Sequence, residues 1–340
     1  MGSCRLAAAR LQVTLDLPLM KQSRLSILRS TCTILLLLSL STAAIAADAL
    51  KPFILAGSIE GDQPGKVRAG IVSSLQNAGF DVIGQYSPYK EADVVVFTHS
   101  VLRDLATRSA RGGYGATLRV SLTRNNDKIE IAYTNPHYWA NAYRMQADVE
   151  SIASQLKSIL GFEKPFGSGD LSLTASDLRK YHYTFLMEYF DDPSVLNYFD
   201  SHEQAVTTVR DNLARQVGAS TQVFELKLGS DTRGNQMTLF GVGLSGSDEE
   251  DCSSDAYIMN RIDRDSPRHT AHLPYEILVY GGQAEALYGR FRIAISWPHL
   301  PMMASDTGAT FFSIMCAPGA IQNVLTKIAG GSSTRSGNEK

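Results

Sequence analysis

The chain has 340 residues, with 32 Lys and Arg against 34 Asp and Glu, four cysteines and a formal net charge of −2 at pH 7. Near-balanced charge without a cluster of Lys or Arg leaves no electrostatic footprint for nucleic acid and little to hold an anionic lipid surface. Once a targeting segment is set aside, the length suits two domains of ordinary size.

Residues 1–46 read as that segment. Lys21, Arg24 and Arg29 make a basic lead, Ile34–Leu38 opens an apolar core, and Ala44-Ile45-Ala46 fits the small-x-small rule for cleavage before Ala47. The apolar run falls short of the about 20 residues that cross a bilayer. The expectation is therefore export with cleavage, into the periplasm of a Gram-negative-type cell or beyond it, with no membrane anchor afterwards. Residues before Met20 are unlike such a lead, which makes Met20 a candidate start. Without 1–46 the balance is 27 Lys and Arg against 33 Asp and Glu, a net of −6. Cys32 precedes the apolar core, so only Cys252 and Cys316 stay in the exported chain. Either they pair across a separation of 64 residues, in a compartment that permits disulfides, or they remain two free thiols.

The first module spans 50–163. It opens with an apolar strand, Phe53–Ile59, and a turn at Gly61–Gly65. A helix follows, with Val67, Ile71, Leu75 and Ala78 on one stripe and Gly79 ending it. Asp81–Tyr86 and Asp93–Thr98 read as strands, Val101–Ser109 as a short helix, and Gly112–Gly115 as a flexible lead-in. Leu118–Leu122 and Ile129–Tyr133 alternate as a hairpin. Pro136-His137 stops it, and a helix over Met145–Leu160 buries Val149, Ile152, Leu156 and Ile159.

Residues 164–177 form the linker, and the second module runs from 178 to 330. Tyr181–Phe190 is rich in strand formers. Ser201-x-x-Gln204 is a capping box for a helix with Val206, Val209 and Leu213 inside. Thr221–Leu228, Met237–Leu244 and Asp255–Ile262 read as strands. Tyr275–Val279 and Phe291–Trp297 read as a second hairpin, closed by Pro298-His299 and the helix Ala320–Ile328. The tail 331–340 is small and polar, the composition of a disordered end.

The order strand-helix-strands-hairpin-helix thus appears twice. Mixed order with hairpins predicts α+β: two related modules, each an antiparallel sheet with helices on one face. The stretch Leu273-Pro274-Tyr275-Glu276-Ile277-Leu278-Val279-Tyr280 resembles the bacterial family numbered 302 among the domains of unknown function, with Leu118–Pro136 similar to a diverged tandem copy. There, too, a Pro-led strand, a turn, a second strand and a strand-ending Pro follow one another. The resemblance implies a compact α+β module without an agreed activity. The cysteine of one inner strand in that family has no counterpart, since Asn260 or Thr98 stands near its place.

Two sets of side chains are candidates for chemistry. The repeated Pro-His ends offer a ligand site from His137 and Trp139, or from Trp297 and His299, with Arg119 or Arg292 nearest any negative charge. An aromatic wall with few polar groups is the usual lining of a small-molecule site. The plainer reading is that both motifs are packing repeats and the arginines lie on a wet face. His269 and His272, with His299, are a candidate metal set. Pro267 and Pro274 keep that stretch extended, and the plainer reading is two solvated loop histidines. Gly241–Gly246 matches G-x-G-x-x-G, but the acidic run after it supplies no helix to hold a phosphate. Glu188, Asp191 and Asp192 offer carboxylates whose separation nothing sets. No catalytic set emerges and no cofactor is called for. The expectation is an exported, non-catalytic protein that binds a small ligand or a protein partner. The alternative is a metal-assisted hydrolase using the histidines.

Overall fold

The computed structural model describes residues 49–61, 63–146, 148–248 and 250–332. The expected signal segment, with its cleavage site and the Met20 start, lies outside the described residues, as does the tail from 333. The described residues all belong to one compact unit.

The fold is α+β, with two antiparallel sheets. Strands β1 (Phe53–Glu60), β2 (Asp81–Tyr89), β3 (Ala92–Thr98), β4 (Leu118–Asn125), β5 (Lys128–Thr134) and β6 (Lys164–Phe166) form the first, in the order β2-β3-β4-β5-β1-β6. Strands β7 (Ser194–Tyr198), β8 (Ser220–Ser230), β9 (Gln236–Leu244), β10 (Tyr275–Tyr280) and β11 (Gln283–Ala286) form the second, in the order β7-β11-β10-β9-β8. Each sheet is therefore built from one half of the chain. The helices are α1 (Pro64–Asn77), α2 (Ser100–Thr107), α3 (Pro136–Ala142), α4 (Glu150–Leu160), α5 (Ala175–Arg179), α6 (His202–Ala214), α7 (Asp255–Ile262), α8 (Gly289–Ser296) and α9 (Ala317–Ile328).

Every residue of β3 is buried, which is why its sequence is a run of Val and Phe rather than an alternation; covered on both faces, it has no polar side to show. On one side α1 packs against β2, β3 and β4, and a 3-10 turn at Thr270–His272 from the other half of the chain reaches β3, β4 and β5. Hydrogen bonds tie the halves together: Tyr89 to Thr270 at 2.6 Å, Thr123 to Thr270 at 2.8 Å, and Arg111 Nε to Glu285 at 2.8 Å.

Several expected elements differ. Phe291–Trp297 alternates like a strand but lies in α8, where Phe291 to Ser296 are all buried. A helix buried all round needs no polar stripe, so its apolar residues can fall at any spacing, including two. The true hairpin partner of β10 is β11, joined through Gly281-Gly282, with Gly281 at φ 57°. Asp255–Ile262 is α7, begun by Ser254, whose hydroxyl accepts from the Tyr257 amide at 3.1 Å. Tyr181–Phe190 forms turns, held by its tyrosine hydroxyls instead of a ladder: Tyr181 donates to the Ala294 carbonyl at 2.9 Å. The helix expected over Met145–Leu160 starts only at Glu150, as α4, and a separate short helix not expected from the sequence, α3, precedes it, with Pro136 at its first turn and Asn135 as cap. Ser201 caps α6 as expected, but Gln204 reaches the Asp200 amide and not that of Ser201. Gly112–Gly115 is a buried 3-10 turn and no flexible lead-in; a Cβ on Gly112 would stand 2.2 Å from the Ala106 carbonyl oxygen. With α8 in place of a strand, the second half departs from the element order of the first.

Candidate functional site

The arginines expected on an open face are buried together. Arg119, on β4, donates through Nη2 to Glu276 of β10. Arg292, on α8, donates to the carbonyls of His272 at 2.6 Å and Pro274 at 3.2 Å, and stands 3.9 Å from the second oxygen of Glu276. Its guanidinium lies 5.6 Å over the Trp139 ring. The register places Arg119 between Val96 and Thr134, so it leaves the sheet on the face that the second half covers. Two guanidiniums thus share one carboxylate in a dry core. Fixed positive charges in such a place hold a fold together but are closed to a ligand from solvent.

Around this triad the core stays polar. Asp255, the first residue of α7, accepts from the Leu244 amide at 3.1 Å and from the Tyr86 hydroxyl at 3.3 Å. Burial pushes its carboxyl up to about 8, against the pull of those two donors. Tyr86 belongs to the first sheet and Leu244 to the second, so Asp255 bridges them. Sequence patterning does not mark Glu276, Tyr86 or Asp255, because a single buried polar residue in an apolar strand has no periodicity of its own.

The histidines of the metal set also lie inside. His269 and His272 are buried, not solvated, with ring centroids 5.0 and 4.8 Å from that of Trp297. Burial holds both imidazoles well below their usual range, so they are neutral. His272 Nδ1 meets the Ser296 hydroxyl at 2.7 Å. His269 and His299 ring centroids are 6.0 Å apart. Among the described residues, no three His, Cys, Asp or Glu side chains are placed to hold a metal ion.

The two Pro-His ends differ. In the first, His137 pairs with Glu150 at 3.2 Å near the surface, whereas Trp139 is buried and donates to the Pro52 carbonyl at 2.8 Å. They do not converge on a common opening. In the second, Trp297 is buried but His299 is exposed, and it lines a groove of about 550 Å³ with Asp170, Leu171, Tyr183, Leu300 and Met302. Gly169, at φ 53°, lets the chain pass close to His299; a Cβ added there would stand 3.2 Å from the His299 Cβ. Tyr183 closes the floor by donating to the Leu300 carbonyl and packing on Phe311, centroids 4.7 Å apart. Of the six residues expected to contact a ligand, His299 lines this opening, while Trp297 and Arg292 are buried.

The rim is apolar and exposed. Thr184–Met187 is a turn, closed by the Met187 amide donating to the Thr184 carbonyl at 3.1 Å. It presents Phe185 and Leu186, 82% and 78% exposed, with Leu186 in the left-handed region at φ 69°. A branched side chain rarely takes that position, which in such turns favours Gly or Asn. Met303, next to the lining residue Met302, is 74% exposed, the Phe312 amide donates to the Met302 carbonyl at 3.0 Å, and Phe312 and Met315 are exposed as well. The three methionines of 298–316, in a stretch without Lys or Arg, are the sequence signal for this rim.

Beside it, Cys252 and Cys316 form a disulfide. The bond fastens the loop before α7 to the start of α9. No helix among the described residues is long and apolar enough to cross a membrane. Comparisons with family models, with curated proteins and with solved structures find no match, so the likeness of Leu273–Tyr280 to the domains of unknown function numbered 302 rests on those residues alone.

Proposed function

We propose that this is an exported, non-catalytic binding protein whose binding surface is the groove at Pro298-His299. One observation carries the reading: an open groove of about 550 Å³ lined in part by Thr184 and Met302, whose chain neighbours Phe185, Leu186 and Met303 stay in water although each would gain by burial. Contiguous exposed apolar surface rimmed by polar groups marks sites of interaction. The strained backbone at Leu186 supports it further, because strain of this kind persists where function requires it. The disulfide fits an oxidising compartment, in keeping with a cleavable segment over 1–46. The buried histidines and arginines serve the frame of this surface, not its chemistry.

The test is titration with Nile red, a neutral apolar dye whose emission rises and shifts to the blue in a dry site. The protein should give a saturable response that the double substitution Phe185→Ser with Met303→Ser removes. Both side chains are exposed, so the fold should survive. A response absent from the starting protein, or unchanged by that pair, would sink the proposal.

A further inference from the structure

We infer that the natural occupant of this groove is a basic amphipathic segment of another protein, an apolar stripe flanked by Lys or Arg. The inference rests on the binding reading above and adds the chemistry of the partner. Two loops line most of the groove, 181–192 through Tyr183 and Thr184 and 298–316 through Pro298, His299, Leu300 and Met302. Together they hold Glu188, Asp191, Asp192 and Asp306, and neither contains a Lys or Arg. Arg290 pairs with Glu188, and Arg144 pairs with Asp191 at 2.6 Å. Among the described residues, Asp192 and Asp306 make no ion pair, and Asp170 adds a third such carboxylate inside the groove. All three are exposed. Lys51 donates to the Gly169 carbonyl at 2.7 Å, next to Asp170.

The surface therefore pairs flexible apolar side chains with free negative charge. Methionine adapts its shape to many apolar partners because it is unbranched and polarizable. A helix laid in such a groove presents anchors at spacings of three and four, and Lys or Arg beside those anchors would meet Asp170 in the groove and the exposed acids of the loops that line it. A second copy of this chain is a poorer occupant: in a two-fold contact the same patch faces itself, and the acidic rim would repel. An anionic lipid surface would be repelled likewise.

A dye-labelled synthetic helix of Leu and Lys, and one of Leu and Glu of equal length, separate these cases by fluorescence anisotropy. The Leu/Lys helix should bind, and bind more weakly as salt rises; the Leu/Glu helix should not. Phe185→Ser with Met303→Ser should weaken the Leu/Lys helix by about tenfold or more, as loss of anchor residues does. Asp170→Asn with Asp306→Asn should weaken it and flatten its salt dependence, yet leave the Nile red response intact. Equal binding of both helices, or binding indifferent to both pairs of substitutions, would overturn the inference. So would a dimer broken by the Phe185 and Met303 pair, or capture by anionic vesicles. Nile red binding without peptide binding would defeat the peptide inference alone, whereas loss of both would defeat the groove reading too.

Discussion

Asp255 shows what a dry interior does to one carboxyl group. Its folded pKa, about 8, lies far above the 3.8 of an ordinary aspartate. The folded protein keeps a proton that the unfolded chain releases above pH about 4. Its contribution to stability is thus complete below that pH and drains away as pH rises to about 8, at about 1.4 kcal/mol per pH unit. Asp255→Asn keeps an acceptor for the Leu244 amide and never ionises. Urea melts across this window should show a flatter pH profile for the variant, with its largest gain near pH 8; parallel profiles would refute the assignment. Little of this was legible in sequence. Arg119 and Arg292 could be singled out as a pair, and they do meet, but around Glu276 in the core. Alternation along a strand tells which side chains share a face, not that both faces of the sheet are covered.

Elements were readable where one face is wet. The stripe of α1, the cap of α6 and the strand β2 follow from spacing, because solvent on one side enforces a period, whereas β3, covered on both faces, is legible from its unbroken run of Val and Phe. Burial on all sides erased that signal in α8, and α7 was misread for want of a clear stripe. The glycines make the same point in reverse. Gly112 reads as flexibility, yet it marks the place where a turn lies against the Ala106 carbonyl. Gly112→Ala should destabilise by about 1–3 kcal/mol through overpacking. Gly70, inside α1, faces open space, with nothing within 4 Å of an added Cβ. Gly70→Ala should instead raise stability by about 1 kcal/mol. Denaturant midpoints moving the same way in both variants would contradict these placements.

At the scale of the whole molecule, the α+β class and the assignment of one sheet to each half could be read from the order of elements. That the halves close on each other could not, since no local pattern records it. The disulfide acts at this level: it joins positions 64 residues apart, for which chain entropy gives about 4 kcal/mol. Reductant, or Cys252→Ser with Cys316→Ser, should lower the melting temperature to the same degree; a melting curve indifferent to both would show that the bond adds nothing. The shared carboxylate has a different consequence. Imagine the chain severed between β6 and β7. The first piece would carry Arg119, shaped for a dry socket, with its counter-charge left on the other piece, and Arg119 would have to be hydrated or the piece would not close. The second would keep Glu276 and Arg292 without the roof that shuts water out. Two stretches that look like copies on paper are thus, electrically, halves of a single object.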